Sequence, residues 1–361
     1  MGVDTTHSEE PTDTTPSGFI RRLRSPQTRR EAVELLGIGI VGVLALVMIG
    51  FILLYWLRAY PYVETVYAEF RIAGRILDGA LGTNVFKHPF MWQSMATGVL
   101  IGIVAPLVGT FLVHREMALI GETLAHTAFA GVAFGLLFNA VTGWESSLLV
   151  SALVVGVLGA LSVQWLADRT STYGDVPIAI MLTGSFAIAT LIISYGRGQT
   201  AISIEGYLFG SLAVVTADGA RLMAILAVAV VAAVVTNYKQ LLFITFDEQA
   251  ARVAQFNVDR YNTLLIVMTA VVVVGAMQVL GVILVAAMLV VPVAAATQLA
   301  RSFRETLYLS ILFGQASIIG GFAFALSFSL PTGGSIVVVA IGIYLAAIAL
   351  SRNGITAVST H

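Results

Sequence analysis

Long apolar stretches without charged residues recur along this chain, and short polar or basic segments separate them. From Tyr261 to Ala300 the sequence has no Asp, Glu, Lys, Arg or His. A membrane-spanning helix needs about 20 such residues, so this stretch is too long for one span. The pattern predicts two helices that turn near Gly275–Gly281, and hence a chain that crosses a membrane repeatedly.

The same criterion predicts ten spanning helices along the whole chain. They lie near residues 35–57, 90–113, 118–138, 147–167, 177–196, 222–240, 262–279, 281–299, 305–329 and 332–351. The predicted fold class is therefore all-α, a polytopic membrane helical bundle of about nine or ten transmembrane helices. The segment 200–217 is apolar but short and interrupted by glycine, which suits a re-entrant or half-helix as well as a loop.

This pattern divides the chain into four regions. Residues 1–34 are predicted to form a disordered cytoplasmic tail, because the first 20 are rich in Thr, Ser, Pro and acids without periodicity. Residues 35–89 add one extra transmembrane helix and a polar outer connection. Residues 90–351 form the membrane core, and residues 352–361 form a second cytoplasmic tail.

Lysine and arginine are distributed unevenly between the predicted loops. With the N-terminus in the cytoplasm, cytoplasmic segments hold 13 of the 19 basic residues and outer segments hold 6. Because cytoplasmic loops of membrane proteins retain positive charge, both termini are predicted to lie in the cytoplasm. The expected location is the cell membrane.

Composition agrees with lipid as the main solvent. Hydrophobic residues make up 58% of the 361 residues and charged residues 11%, against about 25% charged in soluble domains. The chain has no cysteine, which excludes disulfides, thiolate metal sites and cysteine nucleophiles. Its net charge of −1 gives no electrostatic case for binding nucleic acid.

A nucleotide-binding loop is missing from the sequence. A Walker A loop needs Gly-Lys-Ser/Thr to hold phosphates, and neither lysine of the chain, Lys87 or Lys239, follows a glycine. The chain is therefore not predicted to be an enzyme. If ATP drives this protein, hydrolysis is expected in a separate polypeptide.

One carboxylate and one imidazole lie inside the third predicted span, in the segment Gly121-Glu122-Thr-Leu-Ala-His126. Their i, i+4 spacing places both side chains on one face of a helix. Together they can contact one divalent cation such as Zn²⁺, Mn²⁺ or Fe²⁺. Charged groups within the bilayer cost about 2.5–3.5 kcal/mol on insertion scales, which favours a functional role for the pair.

Other interpretations of the pair stay open. Glu122 near a helix N-terminus would be stabilised by the helix dipole, and His126 would then be its hydrogen-bond partner. The pair would also serve as a proton relay. Two ligands are too few for a structural zinc site, which takes four, so further ligands for a metal are expected from elsewhere in this subunit or from a second copy. No permanently bound cofactor is predicted.

A short amphipathic helix is predicted in residues 246–260, between the sixth and seventh spans. Asp247 is expected to cap its N-terminus, Glu248 and Arg252 to pair at i, i+4, and Asn257 to end it in the left-handed conformation. The residues on its apolar face are Phe246, Ala250, Val253 and Ala254. Such a helix either pads the membrane surface or docks a soluble partner.

Taken together, these segments resemble the membrane-permease subunits of ABC importers for zinc and manganese, over roughly residues 90–351. The order and spacing of the motifs fit that family, which is more specific than any single motif. In chain order the motifs are Gly109-Thr-Phe-Leu-Val-His-Arg-Glu-Met117, Gly121-Glu-Thr-Leu-Ala-His126 with Gly131-Val-Ala, Leu208-Phe-Gly-Ser211, Phe246-Asp247 with Ala251-Arg252, Gly281-Val-Ile-Leu-Val with Pro292, and Leu330-Pro-Thr-Gly-Gly334.

The resemblance implies the fold of a type II ABC importer permease that forms a homodimer. It also implies a cytoplasmic ABC ATPase that docks on the 246–260 helix, and an extracytoplasmic metal-binding protein that delivers the ion. Glu122 and His126 are implied to line the translocation pathway and to contact the metal. The residues implied to couple to the ATPase are Phe246, Asp247, Ala250, Ala251 and Arg252.

The chain departs from the family pattern at three positions. Glu122 stands where the family usually has Asp, Gln255 at a usual glycine, and Glu248 at a usual proline. Zinc is expected as the transported substrate before manganese, because the Glu-Thr-Leu-Ala-His stretch looks more like zinc permeases. The alternative function is a proton-coupled secondary metal transporter that uses Glu122–His126 as its proton relay.

Overall fold

The computed structural model describes residues 26–58, 60–82, 86–143, 147–169, 176–195, 206–210 and 215–358 of the chain. These residues contain helices and no strand, so the predicted all-α membrane bundle is confirmed. The helices are α1 Pro26–Trp56, α2 Pro61–Leu81, α3 Pro89–His114, α4 Leu119–Thr142, α5 Leu148–Arg169, α6 Val176–Tyr195, α7 Ala217–Phe246, α8 Glu248–Val253, α9 Val258–Leu280, α10 Val285–Thr297, α11 Phe303–Phe328 and α12 Thr332–Val358.

Within the described ranges, nine helices are long and apolar enough to cross a membrane: α1, α3 to α7, α9, α11 and α12. The predicted span at 281–299 is the exception. Its helix α10 has 13 residues and is about 20 Å long at 1.5 Å per residue, short of the ~30 Å hydrocarbon layer. The physical reason is Gly281, whose φ of 78° ends α9, so that a turn intervenes before α10 begins. Gly275 lies inside α9 and forms no turn.

Helix α3 lies at the centre of the bundle. It packs against α1, α7, α9, α10 and α11, and almost all of its length is buried. Small residues permit these contacts: a Cβ on Gly98 would lie 2.7 Å from Cε2 of Phe322, and one on Gly314 would lie 2.5 Å from Cγ of Pro106. Helices in lipid associate through such close approaches.

The segment predicted as a polar connection contains a helix, α2. Its 21 residues begin at Pro61, a residue suited to the first position of a helix. An aromatic cluster holds α2 in place: the Phe51 ring of α1 lies 5.0 to 6.2 Å, between centroids, from the rings of Tyr67, Phe70 and Trp92. The first two helices are therefore packed onto the core through α3.

The chain between α2 and α3 is held by a buried carboxylate. Asp78 accepts the backbone N–H groups of Phe86 at 2.9 Å and Lys87 at 2.8 Å. The indole N–H of Trp92 donates to the Phe86 carbonyl oxygen at 2.6 Å. These bonds join the end of α2 to the first turn of α3.

Both ends of the described chain extend beyond the predicted spans. Helix α1 begins at Pro26, although its apolar spanning part is Glu34–Trp56. Helix α12 continues to Val358, past the predicted limit at residue 351. Residues 1–25 and 359–361, which belong to the predicted tails, lie outside the described residues.

Three segments that are distant in sequence meet where α9 ends. Residues 206–209 form one helical turn, and the N–H of Val282 donates to the Tyr207 carbonyl oxygen at 2.8 Å. Gly210 and Gly281 have φ of 76° and 78°, and a side chain on either would collide with the backbone of the facing segment. Gly333 of α12 lies against the Leu280 carbonyl oxygen. Most of the rest of the predicted half-helix at 200–217 lies outside the described residues.

Candidate functional site

Glu122 and His126 lie one helical turn apart on α4, and both side chains are partly buried. Glu122 is in the first turn of the helix, where the helix dipole stabilises a carboxylate. The helix dipole explains why a carboxylate is stable at Glu122, but it does not explain the presence of His126. The Nδ1 atom of His126 is buried and has no hydrogen-bond partner among the described residues. A buried polar atom without a partner costs free energy, which a bound ligand would recover.

Helix α6 orients the imidazole of His126. The Phe186 ring meets it edge-on, with 5.0 Å between centroids and 84° between planes. Thr127 follows His126 on α4, and Ser185 precedes Phe186 on α6; their hydroxyl oxygens lie 3.0 Å apart and are hydrogen-bonded. The ring and hydroxyl contacts together hold α4 and α6 in one register.

Helix α10 lies beside the turn that carries Glu122. A side chain on Gly109 of α3 would collide with the Leu289 carbonyl oxygen, and a Cβ on Gly121 would lie 2.7 Å from Cδ1 of Leu289. On the other side of α4, a Cβ on Gly135 would lie 2.9 Å from Cβ of Ser151 in α5. The absence of side chains at Gly121 and Gly135 therefore lets α10 and α5 approach α4 closely.

Glu122 and His126 are two candidate metal ligands, and no third joins them among the described residues. In the part of the chain that the structure describes, no three His, Cys, Asp or Glu residues come close enough to hold one ion. His88 precedes the first turn of α3, and His114 ends that helix with Nδ1 2.8 Å from the Thr110 carbonyl oxygen. Neither histidine joins Glu122 and His126.

Helix α8 is anchored from the inside by one alanine. Ala251 is fully buried and packs with Ile244 of α7 and Val258 of α9. The predicted N-cap is present, since the Asp247 carboxylate accepts the N–H of Ala250 at 2.8 Å. Ala251, predicted as a coupling residue, therefore faces α7 and α9 and not the surroundings of the bundle.

The predicted apolar face of α8 is largely open to its surroundings. Phe246 is 64% exposed and Val253 is 85% exposed. The edge of the Phe246 ring also contacts His114 at the end of α3 and Phe303 at the start of α11. These contacts define the α8 end of the bundle, where α8, the α3–α4 turn and the start of α11 lie together.

The turn after α8 corrects one prediction. Asn257 does not end the helix in the left-handed conformation; its φ is −78°, and its side chain caps α9 by accepting the Arg260 N–H at 3.1 Å. The left-handed residue is Gln255, with φ of 62°. Glycine adopts this conformation without a Cβ penalty, which is a physical reason for the usual glycine of the resembled family at this position.

Four charged side chains are linked across the α8 end. The predicted Glu248–Arg252 pair is present at 2.9 Å, and Arg252 also contacts Asp259 of α9 at 3.2 Å. Glu248 contacts Arg115, in the α3–α4 turn, at 3.2 Å. Burial lowers the pKa of Arg115, and the Glu248 carboxylate opposes this shift. The hydrogen bond that Arg252 donates to Glu248 raises the pKa of Arg252.

The Arg115–Glu248 contact was not foreseen from the sequence. The two residues are 133 positions apart, and no local spacing rule connects them. Two features of the sequence pointed towards it. Arg115 lies in a short turn between two apolar spans, and Glu248 stands where the resembled family usually has proline.

The comparisons with known proteins extend over the whole membrane core. The ABC 3 transport family matches residues 87–351 of the chain. The chain belongs to this family. The matched region begins just before α3, so α1 and α2 precede the part that the ABC 3 transport family describes.

Several known proteins are similar to this chain along nearly their full length. The probable metal transport system membrane protein of Treponema pallidum is 31% identical over 270 residues, which cover 75% of this chain and 98% of the relative. The manganese transport system membrane protein MntC of Listeria monocytogenes is 28% identical over 264 residues, covering 73% and 91%. The probable iron transport system membrane protein of Haemophilus influenzae is 27% identical over 266 residues, covering 74% and 95%.

A solved structure supports the same architecture. PsaBC from Streptococcus pneumoniae, in complex with Fab, is 29% identical in sequence to this chain. The superposition has a TM-score of 0.64 and covers 72% of this chain and 91% of the other. The bundle from α3 to α12 therefore has the fold of an ABC transporter membrane subunit.

Proposed function

We propose that this chain is the membrane-spanning permease subunit of an ATP-driven importer of divalent transition-metal ions. Its family and the metal-transport names of its relatives support this assignment. The observation within the chain that carries it is the Glu122–His126 pair on α4, in which the buried Nδ1 atom of His126 has no partner among the described residues. Carboxylate and imidazole together are ligands for such ions.

The proposed importer contains partners besides this chain. The exposed Phe246, at the end of α7, and Val253 of α8 supply the surface on which a cytoplasmic ABC ATPase docks. The α8 end then faces the cytoplasm, as the basic residues predict, and an extracytoplasmic metal-binding protein delivers the ion at the opposite end. A second copy of the chain completes the pathway, since two ligands from one chain are half a metal site.

Membership of the ABC 3 transport family supports the ATP-driven function over the proton-coupled alternative. The two differ in what the isolated chain does. A secondary transporter moves metal into liposomes when a proton gradient is applied to the chain alone, whereas an importer permease does so only with its ATPase and ATP.

The proposed substrate is manganese first and zinc second. The sequence motif led us to expect zinc, but the relatives described above are named for manganese, iron or an unspecified metal. A carboxylate and an imidazole bind either ion, so these two ligand types do not discriminate between manganese and zinc. Uptake of radioactive manganese and zinc, each measured alone and in competition, ranks the two.

The experiment for the metal role uses four variants in cells that depend on this transporter under metal limitation. Glu122→Ala and His126→Ala are expected to abolish uptake of radioactive manganese while the protein still inserts in the membrane. Glu64→Ala and His88→Ala change the same residue types on exposed surfaces and are expected to keep uptake. Normal uptake by both of the first two variants would rule the assignment out.

A further inference from the structure

A short turn joins α3 to α4 and carries Arg115. Only residues 115–118 separate the two helices, and the turn is closed by the Met117 N–H, which donates to the Leu112 carbonyl oxygen at 2.9 Å. Glu116 has the left-handed φ of 57° that such a tight turn requires. Because the turn is short and hydrogen-bonded, a displacement of Arg115 would also displace the start of α4. His126 lies about two helical turns further along that helix.

The Arg115 side chain reaches out of this turn to α8. Its side chain is 9% exposed, and its terminal nitrogen lies 3.2 Å from Glu248 Oε2. Glu248 is the first residue of α8 and is also held by Arg252 of the same helix. The apolar anchor of α8, Ala251, packs on α7 and α9. The ion pair therefore joins α8 to a part of the bundle that this anchor does not reach.

An open pocket of about 400 Å³ lies at the ion pair, between the α3–α4 turn and the ends of α5, α7 and α9. Its lining residues are Arg115, Met117, Gln164, Ile244, Thr245, Glu248 and Asn262. Open space on one side of the ion pair lets α8 and the turn shift together without clashing with the neighbouring helices. A tightly packed contact in the same place would resist such a shift.

We propose that the Arg115–Glu248 ion pair is the link through which α8 displaces α4. Arg115 and Glu248 are then positioning residues, which act on the metal through Glu122 and His126. This inference rests on the proposed function, because it requires an ATPase that docks on α8. The Arg115 side chain is 9% exposed and the Glu248 side chain 40% exposed. Separating the two would leave the largely buried arginine charge uncompensated, so the pair persists while the helices move.

The test compares charge reversals in the complex of permease and ATPase, reconstituted in liposomes with radioactive manganese. Arg115→Glu and Glu248→Arg are each expected to lower manganese uptake per ATP hydrolysed by about tenfold or more, since like charges replace the ion pair. The double variant restores opposite charges and is expected to recover at least half of the wild-type ratio. Arg169→Glu, the same change on an exposed arginine at the same end, is expected to leave the ratio unchanged.

Manganese uptake per ATP hydrolysed distinguishes a role of the ion pair in coupling from a role in stabilising α8. If the ion pair only stabilised α8, the single variants would lose bound ATPase and uptake together, with an unchanged ratio for the complexes that remain; this result would overturn the proposal. Failure of the double variant to recover would also overturn it. If the single charge-reversal variants do not reach the membrane, the neutral double variant Arg115→Met with Glu248→Gln is measured instead. A wild-type value of manganese uptake per ATP hydrolysed in this variant would contradict the proposed role of the ion pair.

The results that would reject the proposed function differ from those that would reject the role of the ion pair. A wild-type chain that isolates without any ATPase, or that takes up manganese on its own, rejects the ATP-driven importer before the ion pair is tested. A wild-type complex that is active, with charge reversals that keep the wild-type ratio, rejects the ion-pair link alone.

Discussion

The His126 ring of α4 and the Phe186 ring of α6 meet edge-on, with their centroids 5.0 Å apart. One helix thus carries the imidazole and another sets the plane in which it lies. Edge-to-face aromatic contacts contribute about 0.5–1.5 kcal/mol beyond the area they bury. The orientation of the candidate metal ligand is therefore coupled to the packing of α4 against α6.

Replacing Phe186 by leucine is expected to raise the metal concentration for half-maximal uptake by up to about tenfold, because the imidazole loses its orienting contact. The maximal rate is expected to change less. The control is Phe134→Leu, on an exposed position of α4 where the ring stacks on Phe138 of the same helix. Equal half-maximal concentrations in the two variants would contradict the proposed role of Phe186.

Shortening the carboxylate, in Glu122→Asp, is expected to preserve uptake and to change the preference between manganese and zinc. The charge and both oxygen atoms remain, whereas their distance from the His126 ring changes by one methylene. Competition between radioactive manganese and an excess of zinc measures the preference. A variant as inactive as Glu122→Ala would show that the pair tolerates no change in length, and an unaltered preference would place Glu122 away from the metal.

The packing of α10 predicts a difference between two glycines. Gly121→Ala places a methyl group against the flexible end of Leu289, and overpacking of this kind costs about 1–3 kcal/mol. Combined with Leu289→Ala, it is expected to be less destabilising than the sum of the two single changes. Gly109→Ala meets the Leu289 backbone instead, so the same partner change is expected to give no relief. Midpoints of thermal denaturation in detergent measure all five variants.

The N-cap of α8 is expected to depend on an acceptor oxygen rather than on charge. Loss of an N-cap costs about 0.5–2 kcal/mol, so Asp247→Ala is expected to loosen α8 and to reduce the amount of ATPase that isolates with the chain. Asp247→Asn keeps an oxygen for the Ala250 N–H and is expected to retain the ATPase. If asparagine behaves like alanine, the carboxylate charge at residue 247 contacts the partner directly.

The helices that span the membrane were predictable because lipid requires both an apolar surface and internal backbone hydrogen bonds. Nothing else in the sequence has to be known for that argument. It failed at α10, where mean hydropathy is high but Gly281 uses part of the apolar stretch for a turn. The same argument did not predict α2, because its many polar residues lower the mean hydropathy of the segment. One face of α2 is nevertheless apolar and packs Tyr67 and Phe70 against α1.

The candidate site was predictable to the extent that it is local. The i, i+4 relation of Glu122 and His126, the Asp247 cap and the Glu248–Arg252 pair follow from helix geometry alone. The contacts of Phe186 with His126 and of Arg115 with Glu248 join separate helices, and they depend on how the bundle packs. A single sequence carries no direct record of that packing.

The aromatic cluster around Phe51 bears on where this protein can be shortened. Cutting the chain down to the residues shared with the ABC 3 transport family would keep Trp92 but remove Phe51 and Phe70, whose rings pack against its indole ring. An indole ring at the mouth of the central helix would then be bare. The first two helices thus cover this part of α3, and we expect a chain shortened to residues 87–351 to be less stable than the full chain.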